Sequence, residues 1–296
     1  MSTTGLAVAD ASAAVQPRRR PSLLRRMRRY PLPTLGALLL VVLVTSALAA
    51  PWIATHDPFE MNVVDRLQSP NAEYWFGTDA FGRDMFSRTL HGGRVSLIIG
   101  IAVAAASTII GLIIGVIAGY FRLADAILMR IMDGLMAIPG ILLAIALMSL
   151  TRASVWVVIV AITIPEIPRV VRLVRAVVLT VREQIYIEAA TAIGTRFPRL
   201  MLKHILPNTL APLIVQATYI AASAVLVESY LSFLGVGTPP EVPSWGNIIA
   251  EGRLYVQIAF WNILFPSVFL GLMVLSINIL GDGLRDMLDP RLARRL

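Results

Sequence analysis

Residues 96–121 read SLIIGIAVAAASTIIGLIIGVIAGYF, 26 residues without one Asp, Glu, Lys, Arg or His. As a helix rising 1.5 Å per residue the stretch is about 39 Å long, more than the roughly 30 Å of a bilayer's hydrocarbon core. It reads as a membrane span. The rest of the chain agrees: of 296 residues 57% are hydrophobic and 15% charged, against about 25% charged in a soluble domain. Lipid-facing side chains need no polarity, which accounts for the shortfall. The chain has no cysteine, so disulfides, zinc–thiolate sites and iron–sulfur clusters are excluded.

Further apolar runs flank this one at Thr34–Ala54, Leu135–Leu150, Ser154–Val174, Leu210–Val227 and Phe260–Ile279. Together they predict an all-α bundle of six transmembrane helices, with no strand-period segments to build a barrel. The clean part of the fourth run stops at Pro165, so that helix must continue through Pro165, Pro168 and Arg169 with a kink. Arg169, Arg172 and Arg175 then share one helical face and are expected to reach for headgroups. The first run also fits a signal peptide, with a basic leader and an Ala47-Leu48-Ala49 cleavage pattern. Its length and its leader of about 30 residues favour a retained helix.

Basic residues set the orientation. They crowd the tail at 17–30 (PRRRPSLLRRMRRY), the loop 166–205 and the C-terminal RLARRL. The stretches 56–94 and 228–253 each hold more acidic than basic residues. Both termini and the 166–205 loop are therefore expected in the cytoplasm. The net charge of +8 sits in these loops rather than along one surface, which gives no nucleic-acid footprint.

That cytoplasmic loop contains EAATAIGTRFPRLMLKHILPN (188–208). Tyr186, Ala189, Ala190 and Ile193 fall at i, i+3, i+4 and i+7, one apolar helical face. Gly194 is placed to end that helix in a left-handed turn. Thr195 can cap a second helix with Pro198 in its first turn, which puts Phe197, Leu200, Met201 and His204 on one side. The periodicity predicts a helix–turn–helix with an apolar ridge, able to lie on lipid, pack on its own bundle or dock into another protein.

The same loop resembles the signature loop of bacterial ABC-importer permease subunits: E-A-A, three residues, Gly, nine residues, an aliphatic position, then x-L-P. Glu188, Ala189, Ala190, Gly194, Leu206 and Pro207 match it, while His204 stands at the aliphatic position. The resulting KHILPN is similar to the peptide-permease branch. WFGTDAFGRDMFSRTLHGGRVSL (75–97), MRIMDGLMAIPGILLAIAL (129–147), YLSFLGVGTPPEVPSWGNII (230–249) and LSINILGDGLRDMLDPRL (275–292) resemble the "C"-type subunit of dipeptide and oligopeptide importers, in the right order. IPEIPRV (164–170) departs from the usual pattern. The resemblance implies a type I (MetI-like) permease bundle in the bacterial inner membrane. It implies that Glu188, Ala189, Ala190, Gly194, Phe197, Leu200, Met201, Leu206 and Pro207 form the element that couples to a cytoplasmic ATPase. The implied partners are a homologous second permease, two ATPase subunits or domains that bind ATP and Mg, and an extracytoplasmic binding protein.

By its own residues, 75–97 reads as a short amphipathic helix on the outer surface. Asp79 caps it, Asp84 and Arg88 pair at i, i+4, Gly92-Gly93 ends it, and Phe81, Met85 and Phe86 touch the bilayer. The chain thus divides into a basic tail (1–33), a first helix (34–54), an outer segment (55–95), a five-helix core (96–283) whose coupling loop covers about 183–207, and a C-terminal tail (284–296).

A P-loop needs Gly-Lys-Ser/Thr, and the sole lysine, Lys203, lies between Leu202 and His204. Any ATP hydrolysis must come from another subunit. His56, His91 and His204 fall in different loops on both sides of the membrane, so no metal or catalytic cluster and no cofactor of the chain's own is expected. Intramembrane ionisable residues are functional candidates, which singles out Asp133 and Glu228 for the substrate pathway. An ion-driven transporter would instead call for paired midplane acids and a repeat of two halves, neither of which is evident. A scaffold that recruits a soluble protein would share the loop but move no solute. The cargo (peptides, nickel complexes or haem-like molecules) is not written in the chain.

Overall fold

The computed structural model describes residues 31–288, with the side chain of Phe197 left aside. The predicted tails at 1–30 and 289–296 lie outside the described residues. All regular structure among the described residues is helical: α1 (Pro31–Leu48), α2 (Ala50–Ile53), α3 (Met85–Tyr120), α4 (Arg122–Met136), α5 (Gly140–Ser149), α6 (Val155–Arg182), α7 (Ile185–Ala192), α8 (Phe197–Leu200), α9 (Leu206–Phe233), α10 (Trp245–Gly252) and α11 (Trp261–Leu288). A π-helical turn, Met201–Ile205, joins α8 to α9, so one helix runs Pro198–Phe233.

Four helices are continuous apolar spans: α1, α3, the helix 198–233 and α11. The expected third span is not one helix. Pro139 disfavours helical backbone at Ile138 and offers no N–H of its own, and α4 and α5 meet there at 85°. The fourth expected helix, α6, does run unbroken through Pro165 and Pro168, but Glu166, Arg169 and Arg172 interrupt its apolar character. Six spans are therefore reached only when the bent pair and α6 are each counted.

The spine of the bundle is α3 against α6. Gly111, Gly115 and Gly119 recur every four residues on α3 and face Val170, Val174 and Val178; a Cβ on Gly115 would stand 2.7 Å from the Val174 Cβ. Small residues at this spacing let two helices in lipid approach backbone to backbone. Ile99, Val103, Val158, Ile162, Ile187, Leu200, Ile205 and Ile220 extend that core. A second cluster, including Leu43, Val225, Trp245 and Met273, fastens α1, α9, α10 and α11 around the start of α3.

The separate helix expected over 75–97 does not exist. α3 begins at Met85 and passes straight through Gly92-Gly93, because those glycines admit the Trp245 indole: a Cβ on Gly93 would sit 2.9 Å from its ring. Its cap is Asp84, which accepts from the backbone N–H groups of Phe86 and Ser87. Asp79 instead closes the preceding turn by accepting from the Phe81 and Arg83 N–H groups. Met85 and Phe86 are buried, and of the three expected surface residues only Phe81 is exposed.

Candidate functional site

The predicted helix–turn–helix forms, with α7 as its first arm. Ile187, buried, pins α7 to the core. The helix stops at Gly194, whose φ is +82° with no neighbour within 4 Å of a hypothetical Cβ. Glycine is thus required by conformation, not by space. Gly194 N–H donates to the Thr191 carbonyl at 2.9 Å and Thr195 N–H to the Ala190 carbonyl at 3.0 Å, the paired bonds of a Schellman turn.

The second arm is the beginning of the long helix 198–233. Pro207 lacks an N–H and its ring crowds the preceding turn. The backbone answers by widening to a π-turn, in which Leu206 N–H donates to the Met201 carbonyl. Asn208 Nδ2 donates to the His204 carbonyl at 2.6 Å.

The expected single apolar ridge is split between two directions. Leu200 and Met201 turn inward with Ile187 and Ile205 and are buried in this chain's own core. Outward stand Glu188, Ala189 and Pro207, together with the large apolar side chains of Ile185, Tyr186, Ile193 and Leu202. Ile193 is 84% exposed and Ile185 83%. Ala190 and Leu206 are half-buried. Ile185 and Leu202 lie just outside the periods used to read the helices, which is why the sequence reading passed them over. Glu188 makes no ion pair among the described residues. It borders a cleft of about 540 Å³ with Tyr120, Arg182, Ile187, Thr191, Ala192 and Leu200. Arg182 donates to the Gly119 and Tyr120 carbonyls at 3.4 and 3.2 Å, tying the base of the loop to the end of α3.

The two pathway candidates stand far from each other in character. Asp133, on α4, accepts from Arg172 of α6 at 2.6 Å, and both side chains are about half exposed. Its partner is not Arg130, the neighbour nearest in sequence. Arg175 grips Asp125 of α4 through Nε and a second nitrogen, and Arg169 pairs with Glu166. The three arginines expected to snorkel are thus held by carboxylates. Glu228, on α9, is 0% exposed. Ser232 and Ser244 donate to its Oε1 at 2.8 Å each, and Ser96 to Oε2 at 3.4 Å. These bonds join α3, α9 and the cap of α10. A carboxylate so enclosed ties three elements together at one point.

A polar cluster at the same end of the bundle escaped the sequence reading. Arg88, 1% exposed, does not pair with Asp84. It reaches Glu251 at 3.0 Å and Asp79 at 3.6 Å. Arg83 binds the same two acids at 2.5 and 2.6 Å. Trp261 Nε1–H donates to the Thr78 carbonyl at 3.2 Å and Trp245 Nε1–H to that of Thr89 at 2.9 Å. In the loop below, Tyr74 stacks on His56 with ring centroids 4.8 Å apart and donates to Asp65 at 3.1 Å. Burial and the Asp65 carboxylate push the Tyr74 phenol up to about 12.

Comparison with known proteins brings two family models onto the chain. "Binding-protein-dependent transport system inner membrane component" matches residues 107–294, and "N-terminal TM domain of oligopeptide transport permease C" matches residues 22–70. A probable peptide ABC transporter permease protein of Sinorhizobium fredii is 52% identical over 98% of this chain and 100% of its own length. A dipeptide transport system permease of Alkalihalophilus pseudofirmus is 40% identical over 96% of this chain and 93% of its own. An oligopeptide transport system permease of Bacillus subtilis is 36% identical over 91% and 88%. A solved inward-facing methionine ABC transporter chain superposes with a TM-score of 0.56 at 22% identity, over 69% of this chain and 98% of that one. That last likeness is one of fold.

Proposed function

This chain belongs to the family of binding-protein-dependent transport system inner membrane components, and on that premise we propose that it lines half of a peptide import pathway and is driven through its 183–207 loop. It is a membrane-spanning permease subunit of an ABC importer. Peptide cargo is the reading that the names of its relatives favour, including permeases for dipeptides and oligopeptides.

One observation carries the coupling role. Glu188, Ala189 and Ile193 stand outward on a helix anchored by one buried side chain, while the arm after Gly194 is continuous with a span ending at Phe233. A partner that grips α7 therefore pulls, through the hydrogen-bonded Gly194 turn, on one long helix. In this mechanism the loop faces the cytoplasm and seats in a groove of an ATPase subunit. Closure of two ATPases around ATP rocks this bundle against a second, homologous permease, and peptide handed over by an outer binding protein passes between the two. Leu200 and Met201 support the loop from below, while Glu188 and Ile193 supply the contacts. Asp133 holds α4 to α6, and Glu228 fixes the outer ends of α3 and α9.

The test is co-purification followed by transport. Wild-type chain extracted from native membranes brings down ATPase subunits, and the reconstituted complex with binding protein imports a labelled dipeptide only with ATP. Glu188→Arg lowers the recovered ATPase severalfold. Recovery of a chain that moves solute on an ion gradient with no ATPase present would overturn the reading.

A further inference from the structure

Helix α4 has a face that the described residues leave uncovered. Leu123, Ile127 and Ile131, at i, i+4 and i+8, are all exposed. The neighbouring row, Arg122, Ala126 and Arg130, is exposed as well, and neither arginine pairs with an acid among the described residues. The acids of α4 are spent on α6: Asp125 is held by Arg175 and Asp133 by Arg172. Met132, on the side away from the stripe, is buried.

Those ion pairs also fix how α4 lies. Asp125 and Asp133 are separated by about 12 Å of helix, yet their partners on α6 are only about 4.5 Å apart along its axis. α4 therefore crosses α6 instead of running beside it, and beyond the Pro139 break α5 leaves at 85°. The crossing falls close to the end of the apolar α3. Val174, between the two arginines, packs on Gly115, about 8 Å before α3 stops at Tyr120.

An apolar stripe, a basic edge and a crossing near the end of a span are the marks of a helix lying in the membrane interface. Such a helix seats its apolar face about 5–10 Å into the boundary between headgroups and acyl chains, the depth at which α4 crosses. A water-filled passage would leave the stripe against water. A protein partner would need acids opposite both arginines on the rim of an apolar groove. A lipid leaflet supplies apolar chains and phosphates together, and a guanidinium matches phosphate well. We infer that α4 is an interfacial helix seated on anionic phospholipid, with Leu123, Ile127 and Ile131 among the acyl chains and Arg122 and Arg130 on headgroup phosphates. Arg182 ties the base of the 183–207 loop to Gly119 and Tyr120, directly before α4, so the same lipid contact steadies that base. That this leaflet is the cytoplasmic one rests on the transport reading above; the lipid contact rests on α4 alone.

The chain has no cysteine, so Ile127→Cys carries a single fluorescent label. The labelled full-length chain is placed in phosphatidylcholine vesicles, alone and within the complete transporter, and quenched by lipids bearing a nitroxide near the headgroup or near the chain end. Quenching is expected to be at least twofold stronger from the nitroxide near the headgroup in both preparations. At equal mole fraction, spin-labelled phosphatidylglycerol should quench at least threefold more than spin-labelled phosphatidylcholine. Arg122→Gln combined with Arg130→Gln should remove that preference. Stronger quenching from the chain end would make α4 a transmembrane segment. No quenching within the transporter would make the stripe a contact with the second permease. Equal quenching by the two headgroups, or a preference that survives the double substitution, would deny the arginines their role. Each of these overturns the inference. If the double variant fails to fold, salt decides on the chain with both arginines: the phosphatidylglycerol preference must weaken as charges are screened, and an unchanged preference is the overturning result. Uptake of a labelled dipeptide by the same vesicles separates the two readings. ATP-dependent uptake without the quenching pattern sinks the interfacial helix alone; the quenching pattern without ATP-dependent uptake sinks the peptide-import reading alone.

Discussion

The two ends of the bundle are built on opposite terms. At the end carrying residues 55–84 and 234–262, charges are buried and matched: Arg83 and Arg88 against Asp79 and Glu251, Asp84 on the cap of α3, Glu228 under its hydroxyls. At the other end, α7 keeps one side chain in the core and offers Ile185, Tyr186, Glu188 and Ile193 outward. The first end holds its own shape. The second leaves apolar surface bare where a headgroup layer or a partner must cover it. If the chain is driven through its loop, as proposed above, this asymmetry is useful: a stiff frame at one end and a handle at the other.

The difference is broken most severely at Arg88. Arg88→Met removes one cation from a buried quartet and leaves Asp79 and Glu251 short of a partner. Loss of one member of a buried ion pair costs about 3–5 kcal/mol, and the partial exposure of Glu251 places the cost near the lower limit. Thermal unfolding of the detergent-solubilised chain should fall by several degrees, and an unchanged midpoint would show that this end is not held by its charges. Gly194→Ala comes next. Forcing an L-residue into the left-handed region costs about 1–2 kcal/mol. Because α7 is lightly anchored, the turn is expected to open locally instead of unfolding the bundle. Hydrogen exchange should then quicken at 185–195 with the global midpoint little moved.

A smaller effect separates the ends by pH. The Tyr74 phenol is raised to about 12, above the roughly 10 of a free tyrosine, so the folded chain holds this proton more tightly than the unfolded one. The contribution is complete below about pH 10 and is lost as pH rises toward 12. The wild-type unfolding midpoint should therefore decline between about pH 10 and 12 more steeply than that of Tyr74→Phe, which has no phenol proton to lose. Equal slopes in the two proteins would remove Tyr74 from the account.

How much of this could be read from residues alone follows the range of the interactions. The apolar runs are local facts, and so is the Gly194 turn, which needs only a glycine after a periodic helix. The break at Pro139 was local too, and the unbroken apolar count across it hid the signal. The start of α3 was not legible, because Gly92-Gly93 looks like a stop until Trp245 is brought against it. Arg88 likewise has a near acid at Asp84, but its partner is Glu251, 163 residues away; the nearer carboxylate is consumed as a cap. Leu200 and Ile193 are equally apolar in sequence. Only the packing of Ile187 and Ile205 decides that one faces the core and the other faces out.

That last pair gives the finest test of the comparison. Leu200→Ala empties a buried site, and large-to-small changes in a core cost about 2–5 kcal/mol, so it should behave like a frame mutation despite its place in the loop. Ile193→Ser changes a side chain that is 84% exposed, and surface substitutions of this kind usually stay within about 0.5 kcal/mol. If the exposed face is a handle, Ile193→Ser should leave the unfolding midpoint where it was and still weaken recovery of the ATPase subunits severalfold. A variant that keeps both stability and ATPase recovery would mean that the bare face of α7 rests on lipid. The asymmetry between the two ends would then be one of packing alone, with the drive applied elsewhere on the loop.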